Sequence, residues 1–220
     1  MRTRLGIDEA GRGCVLGPMV FGAYLVAEAD EPGLRELGVR DSKKVSRKRR
    51  DLLRPQLEER ALAWRTLALQ PPDLDKRSLN ELGKEAVVSL CRELKPDVLV
   101  LDAPVPPAGI PAYAAAIRSL LAEAGHPVDS LEIIAENGAD DRYPCCAAAS
   151  ILAKTSRDAF LAALAEEQGE GIGSGYPSDP VTVGFLTRLW ERDESWPPFV
   201  RTKWETARRI VAKSRQGRLF

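Results

Sequence analysis

The chain has 220 residues, 44% of them hydrophobic and 29% charged, which is enough to bury a core and excludes disorder by composition. Thirty-two basic residues balance thirty-two acidic ones, which excludes a histone-like cationic protein. Its four cysteines (Cys14, Cys91, Cys145 and Cys146) form no C-x-x-C pair, no N-terminal export segment is evident, and no apolar run approaches the ~18 residues of a membrane span. Those features point to a reducing cytoplasm and no membrane partner.

Leu5–Asp8 reads as a short strand ending before Gly11, and the apolar run Val15–Ala27 as a second strand paired with it. Ser46 is placed to cap a helix reaching Leu62, which Pro55 should kink or split. Ala63–Gln70 reads as a third strand. From Ser78 to Leu94, the residues Leu79, Leu82, Ala86, Val87, Leu90 and Leu94 share one helical face. Asp97–Asp102 is a strand covered on both faces, and Pro111–Gly125 a helix with a proline start and a glycine stop. Leu131–Ala135 is the fifth strand. The helices Cys145–Gln168, Val181–Arg192 and Arg201–Lys213 follow. Three early strands and then strand–helix alternation imply an α/β fold with a mixed five-stranded sheet flanked by helices. The expected division is a domain over residues 1–170 and a C-terminal helical portion over 171–220.

Acids close several of these strands. Asp8 and Glu9 end the first, Asp102 ends the fourth, and Asp140 and Asp141 follow the fifth. Ligands of open α/β sheets gather at the carboxyl ends of strands. Any one acid is an ordinary loop residue, but clustered carboxylates repel unless a cation joins them. Mg²⁺ and Mn²⁺ prefer oxygen ligands and suit phosphoryl chemistry. The single histidine, His126, lies beside Pro127 in an expected loop, so chemistry built on carboxylates is favoured over histidine catalysis.

The loop Gly6-Ile7-Asp8-Glu9-Ala10-Gly11-Arg12-Gly13 has the spacing of a phosphate loop but puts Arg12-Gly13 where Lys-Ser/Thr is required. It also misses the dinucleotide G-x-G-x-x-G by one residue. Either it is a tight turn, or its glycines let backbone amides approach a phosphate or sugar, with Arg12 adding charge.

That run, with Gly17-Pro18 after it, closely resembles the opening signature of the ribonuclease HII family. Asp41-Ser42-Lys43-Lys44-Val45-Ser46 is similar to its D-S-K-K-L-S, and Ala148-Ala149-Ser150-Ile151-Leu152-Ala153-Lys154, continuing to Arg157-Asp158, to its A-A-S-I-L-A-K-x-x-R-D. Gly173 to Pro180 resembles the G-S-G-Y-P-S-D-P form of archaeal and eukaryotic-type members. The resemblance runs from Leu5 to about Trp204. It implies a ribonuclease H-like fold and an endonuclease that cuts RNA in RNA·DNA hybrids and single ribonucleotides in duplex DNA, leaving 5′-phosphate and 3′-hydroxyl ends. It further implies Mg²⁺ or Mn²⁺ on Asp8, Glu9, Asp102 and Asp140, the last chosen over Asp141 because Ala139–Tyr143 resembles A-D-x-K-Y; a monomer is expected. Gly11, Arg12 and Gly13 would contact the ribose, and Tyr176 would stack on the neighbouring sugar. Ser42, Lys43, Lys44, Lys154 and Arg157 are candidate phosphate contacts. Trp190, Trp196 and Trp204 read as core. Two other readings stay open: another nuclease of the same fold, resolvase-like, and a non-catalytic nucleic-acid-binding module.

The neutral total conceals segregated charge. Residues 40–50 hold seven basic residues and one acidic, and residues 201–218 do the same. Each stretch carries +6, which leaves the remaining chain at −12. A polyanion-binding face is thereby compatible with zero net charge.

Overall fold

The computed structural model describes residues 1–39 and 45–216. Its sheet is built from β1 (Thr3–Ala10), β2 (Met19–Ala27), β3 (Ala63–Leu69), β4 (Val98–Asp102) and β5 (Glu132–Glu136), in the order β3-β2-β1-β4-β5. β1 runs antiparallel to β2 and parallel to β4, and β4 runs parallel to β5, so the sheet is mixed as expected. The helices are α1 (Glu31–Glu36), α2 (Arg47–Arg60), α3 (Pro71–Leu74), α4 (Leu79–Leu94), α5 (Ile110–Glu123), α6 (Ala139–Arg142), α7 (Pro144–Gln168), α8 (Pro180–Asp193) and α9 (Glu205–Gln216). Among the described residues no helix is long and apolar enough to cross a membrane.

α7 sits directly on the central strands. Its residues 144–153 are buried on every side, as expected of a helix that is apolar all round. Two glycines make the approach possible. A Cβ at Gly6 would stand 2.3 Å from the backbone of Cys145, and one at Gly22 would stand 2.0 Å from the carbonyl oxygen of Ala149. The core formed there joins Tyr24 and Val26 of β2, Val98 and Val100 of β4, Leu53 and Leu57 of α2, and Cys145 to Leu152 of α7. Glu31, almost fully buried, ties α1 to this layer. It pairs with Arg4 and accepts the Cys145 N–H at 3.1 Å, where the first turn of α7 would otherwise leave a donor unsatisfied.

The chain divides into two compact units. The first comprises Met1–Ala10, Val20–Leu67 and Asn80–Ser156; the second comprises Gly11–Met19, Ala68–Leu79 and Arg157–Phe220. This differs from a boundary near residue 170: the second unit starts inside α7 and recruits two earlier segments. Its core includes Val15 and Leu16 together with Phe185, Leu186 and Leu189 of α8 and Ala207 and Ile210 of α9, and Trp190, Trp196 and Trp204 pack against it.

Two element starts and one proline-containing helix depart from the sequence expectation for a visible reason. β2 begins at Met19, because Val15 and Leu16 donate their N–H groups to Gly175 O and so leave the sheet. α2 runs unbroken through Pro55. Pro55 and Asp51 lie on its exposed side, where a carbonyl without its helical partner is open to water, while Leu53 and Leu57 hold the buried side. α9 begins at Glu205, not Arg201, because the Arg201 N–H donates to Val15 O at 2.9 Å and its side chain is turned inward.

Candidate active site

Within the first unit, three of the predicted acids share one neighbourhood. Asp8 lies near the carboxyl end of β1 and is 8% exposed. Strand alternation puts it on the same side of the sheet as Gly6, which is the side covered by α7. There the Ser150 hydroxyl donates to its carboxylate, and the Glu9 N–H donates to Oδ1 at 2.7 Å. Burial pushes the Asp8 carboxyl up to about 7; Ser150 and the Glu9 amide hold it down, and the negative charges of Asp102 and Asp140 push it further up. The Glu9 side chain starts from the opposite side of the pleat, and its main-chain N–H reaches Asp8.

Asp102 ends β4. Its Oδ1 accepts the N–H groups of Gly138 at 2.7 Å and Ala139 at 3.2 Å, the entry to α6. Gly138 has φ +69°, a left-handed conformation that glycine adopts without penalty, and it swings the chain from β5 into α6. Asp140 follows in α6 and is 2% exposed, while Asp141 beside it is exposed. Asp102 thus fixes the short helix that carries Asp140.

Among the described residues no three acids, cysteines or histidines are drawn together tightly enough to ligate an ion. Mutual repulsion opposes such convergence until a cation is present. The donor set itself fits a hard divalent ion: carboxylate oxygens from three elements, electrostatically coupled around Asp8, with one of them buried at a raised pKa. His126 takes no part. It lies after α5, 4.0 Å from the buried Cys91 thiol, and burial lowers its pKa.

The second unit contains the Gly-Arg-Gly loop and the Gly-Tyr-Pro turn. Gly11 has φ +81°, and a Cβ there would press on Pro18 O at 2.9 Å and on the Arg157 side chain. Val15 N–H binds Gly175 O at 2.8 Å, so loop and turn are joined backbone to backbone. Tyr176 is 38% exposed, with the Arg157 guanidinium 4.9 Å from its ring centre and its Cε1 4.0 Å from where a Gly13 Cβ would be. Asp179 caps α8 through Val181 N–H and also accepts the Ser174 N–H at 2.6 Å; these bonds hold its carboxyl down at about 2. Buried Thr182 accepts Gly175 N–H at 2.9 Å and donates to Ile172 O at 3.0 Å, which fixes the turn from below.

The remaining candidates differ in their placement. Arg157 is not an exposed phosphate contact: it is 8% exposed and bonds to Ser174 O and Asp158. Lys154 is half-buried on α7. Ser42, Lys43 and Lys44 lie outside the described residues. Sequence reasoning assigned no role to Ser150, Thr182, Glu31 or Arg201. Ser150 carried one signal, as a lone hydroxyl within the apolar run Cys145–Ala153.

Comparison with known proteins places this geometry. The family model described as Ribonuclease HII matches residues 5–207. The chain is 43% identical over 217 residues to the Ribonuclease HII of Thermococcus onnurineus (strain NA1), covering 94% of this chain and 89% of that protein. The crystal structure of the ribonuclease H2 from Pyrococcus horikoshii OT3 superposes with a TM-score of 0.86 at 37% identity, covering 97% of this chain and 99% of that one. The PCNA:RNase HII complex from Archaeoglobus fulgidus gives 0.80 at 35% identity, covering 92% and 95%.

Proposed function

We propose, for a chain that belongs to the ribonuclease HII family and is therefore a hydrolytic endoribonuclease acting on RNA·DNA hybrids, that it also cuts at single ribonucleotides embedded in duplex DNA. Divalent-metal dependence goes with the family. The reading rests on one observation above all: Asp8, Asp102 and Asp140 come from three separate elements to one neighbourhood in which Asp8 is buried against two like charges. With Glu9 they are the residues that would hold Mg²⁺ or Mn²⁺. Such an ion supplies activation of water and stabilisation of the leaving oxygen, which gives 5′-phosphate and 3′-hydroxyl ends without a histidine base.

The chain's own residues prepare the site. Ser150 and the Glu9 amide orient the Asp8 carboxylate. Asp102 spends one oxygen on the entry to α6 and thereby sets the position of Asp140. The burial of Asp140 and the exposure of Asp141 support Asp140 as the fourth acid.

Recognition of a lone ribonucleotide requires reading one 2′-hydroxyl. Gly11, Arg12 and Gly13 follow Asp8 and Glu9 after Ala10 alone, and at Gly13 the absent Cβ leaves the backbone open to a sugar. Tyr176, partly exposed over a guanidinium, is suited to stack on the adjacent deoxyribose. Lys154 and, outside the described residues, Ser42 and Lys43 would add phosphate contacts.

Asp8→Asn, assayed with Mg²⁺ and with Mn²⁺ on duplex DNA carrying one ribonucleotide, should be inactive with both ions. Activity near that of the wild type would overturn the assignment of the acids. Tyr176→Ala should lose cleavage at the single ribonucleotide more than cleavage of a long hybrid, and equal activity on both substrates would remove its stacking role.

A further inference from the structure

Arg201 is fully buried, the largest side chain with no exposed surface among the described residues. A buried guanidinium must find acceptors for its donors or it destabilises the fold. Arg201 finds them on the backbone of the glycine-rich loop. Nη2 donates to Gly11 O at 2.7 Å, Nη1 to Arg12 O at 3.0 Å and Nε to Gly17 O at 2.9 Å. Trp204 covers the guanidinium, its ring centre 5.0 Å away. Burial lowers the pKa of the group to about 10, which still leaves it charged at neutral pH.

These bonds determine which way the loop faces. Among the described residues every peptide bond is trans, so the C=O and the N–H of one peptide unit point in opposite directions. With the carbonyls of Gly11 and Arg12 drawn in toward Arg201, the N–H groups of Arg12 and Gly13 are turned the other way. Two successive amides are thereby presented on the side opposite the cation, the arrangement that binds an anion or a sugar oxygen. We propose that Arg201 is a positioning residue for ribonucleotide recognition, holding the Gly11–Gly13 amides in the orientation that reads the sugar and its phosphate; this rests on the role given to that loop under the proposed function.

Arginine is suited to this task and lysine is not. The planar fork reaches three carbonyls at fixed angles, whereas an ammonium is a single point that cannot span them. Arg201→Lys keeps the charge and removes the fork, and Trp204→Leu is the milder variant should Arg201→Lys fail to fold. Hydrogen exchange over residues 11–17 reads the loop without reference to catalysis. Exchange at Cys14 to Gly17, whose amides bond to the carbonyls of Gly11, Gly175 and Phe199, should accelerate by about tenfold or more in the variant, with a circular dichroism spectrum like the wild type's. Unchanged exchange would overturn the positioning role.

Substrate choice reads the consequence. A displacement near 1 Å can cost about 10²-fold, so kcat/KM on the single-ribonucleotide duplex should fall about 10²-fold, and that on a long RNA·DNA hybrid distinctly less. Equal falls on both substrates would mean a structural role only and would overturn the inference. A wild-type enzyme unable to cut the single-ribonucleotide duplex would sink the functional reading instead, while the exchange measurement would still decide whether Arg201 holds the loop.

Discussion

Gly22→Ala tests the close approach of α7 to the sheet. A Cβ at Gly22 would lie 2.0 Å from Ala149 O and 2.9 Å from both the Ala149 carbonyl carbon and Ala153 N, all backbone atoms of α7 that no rotamer change can move. Restoring the 3.4 Å of ordinary contact requires β2 and α7 to separate by about 1.4 Å. Overpacking of this kind costs about 3 kcal/mol, which lowers the melting temperature by about 6–12 °C in a chain of this size. The displacement also reaches the chemistry. Gly22 pairs with Asp8 across β1 and β2, and Ala149 precedes Ser150, the donor to the Asp8 carboxylate. Moving that donor by more than 1 Å should reduce hybrid cleavage by about 10²-fold. Thermal melts monitored by circular dichroism and a hybrid-cleavage assay read the two effects. Gly171→Ala is the control, since a Cβ there meets nothing within 4 Å. A Gly22→Ala melting temperature within about 2 °C of the wild type, with undiminished cleavage, would refute the packing and its link to the site together.

The remaining predictions concern buried charge. In chelator, stability should fall as pH rises from about 4 to about 7. Asp8 has its ordinary value of 3.8 when unfolded and about 7 when folded, so the folded protein binds the extra proton in that window. Asp8→Asn should flatten this dependence, and Mn²⁺ added at pH 8 should raise the melting temperature of the wild type; identical pH slopes in the two proteins would contradict the burial of Asp8. Glu31→Gln removes one of the two carboxylate partners of Arg4, leaving Glu28, and weakens the acceptor at the start of α7. With Glu28 still on Arg4 the loss should be about 1–3 kcal/mol, whereas Glu36→Gln on the exposed side of α1 should stay within about 0.5 kcal/mol in a urea titration.

Much of the fold is legible because its signals are local. The apolar runs of β1 and β4 end in Asp8 and Asp102, and that contrast of apolar interior and acidic end marks both strand and site. Positive-φ glycines at 11, 17, 173 and 175 announce turns in the same way. The choice between Asp140 and Asp141 is not local. Both are aspartates in one short helix, and only the packing of α6 buries one and exposes the other. Pro55 is likewise tolerated because tertiary contacts of Leu53 and Leu57 hold a helix that the proline alone would interrupt.

Arg201 marks the limit most clearly. In the sequence it is one of seven basic residues in the C-terminal stretch, where a charge is by default a solvated one and a helix start is a fair expectation. Its acceptors are the carbonyls of residues 11, 12 and 17, which lie 184 to 190 positions away. The sequence alone determined the strand-end acids and the glycine turns, since each depends on its immediate neighbours. Which basic residue is buried, and which acid faces Asp8, depends on groups brought together from distant parts of the chain, and only the tertiary structure decided it.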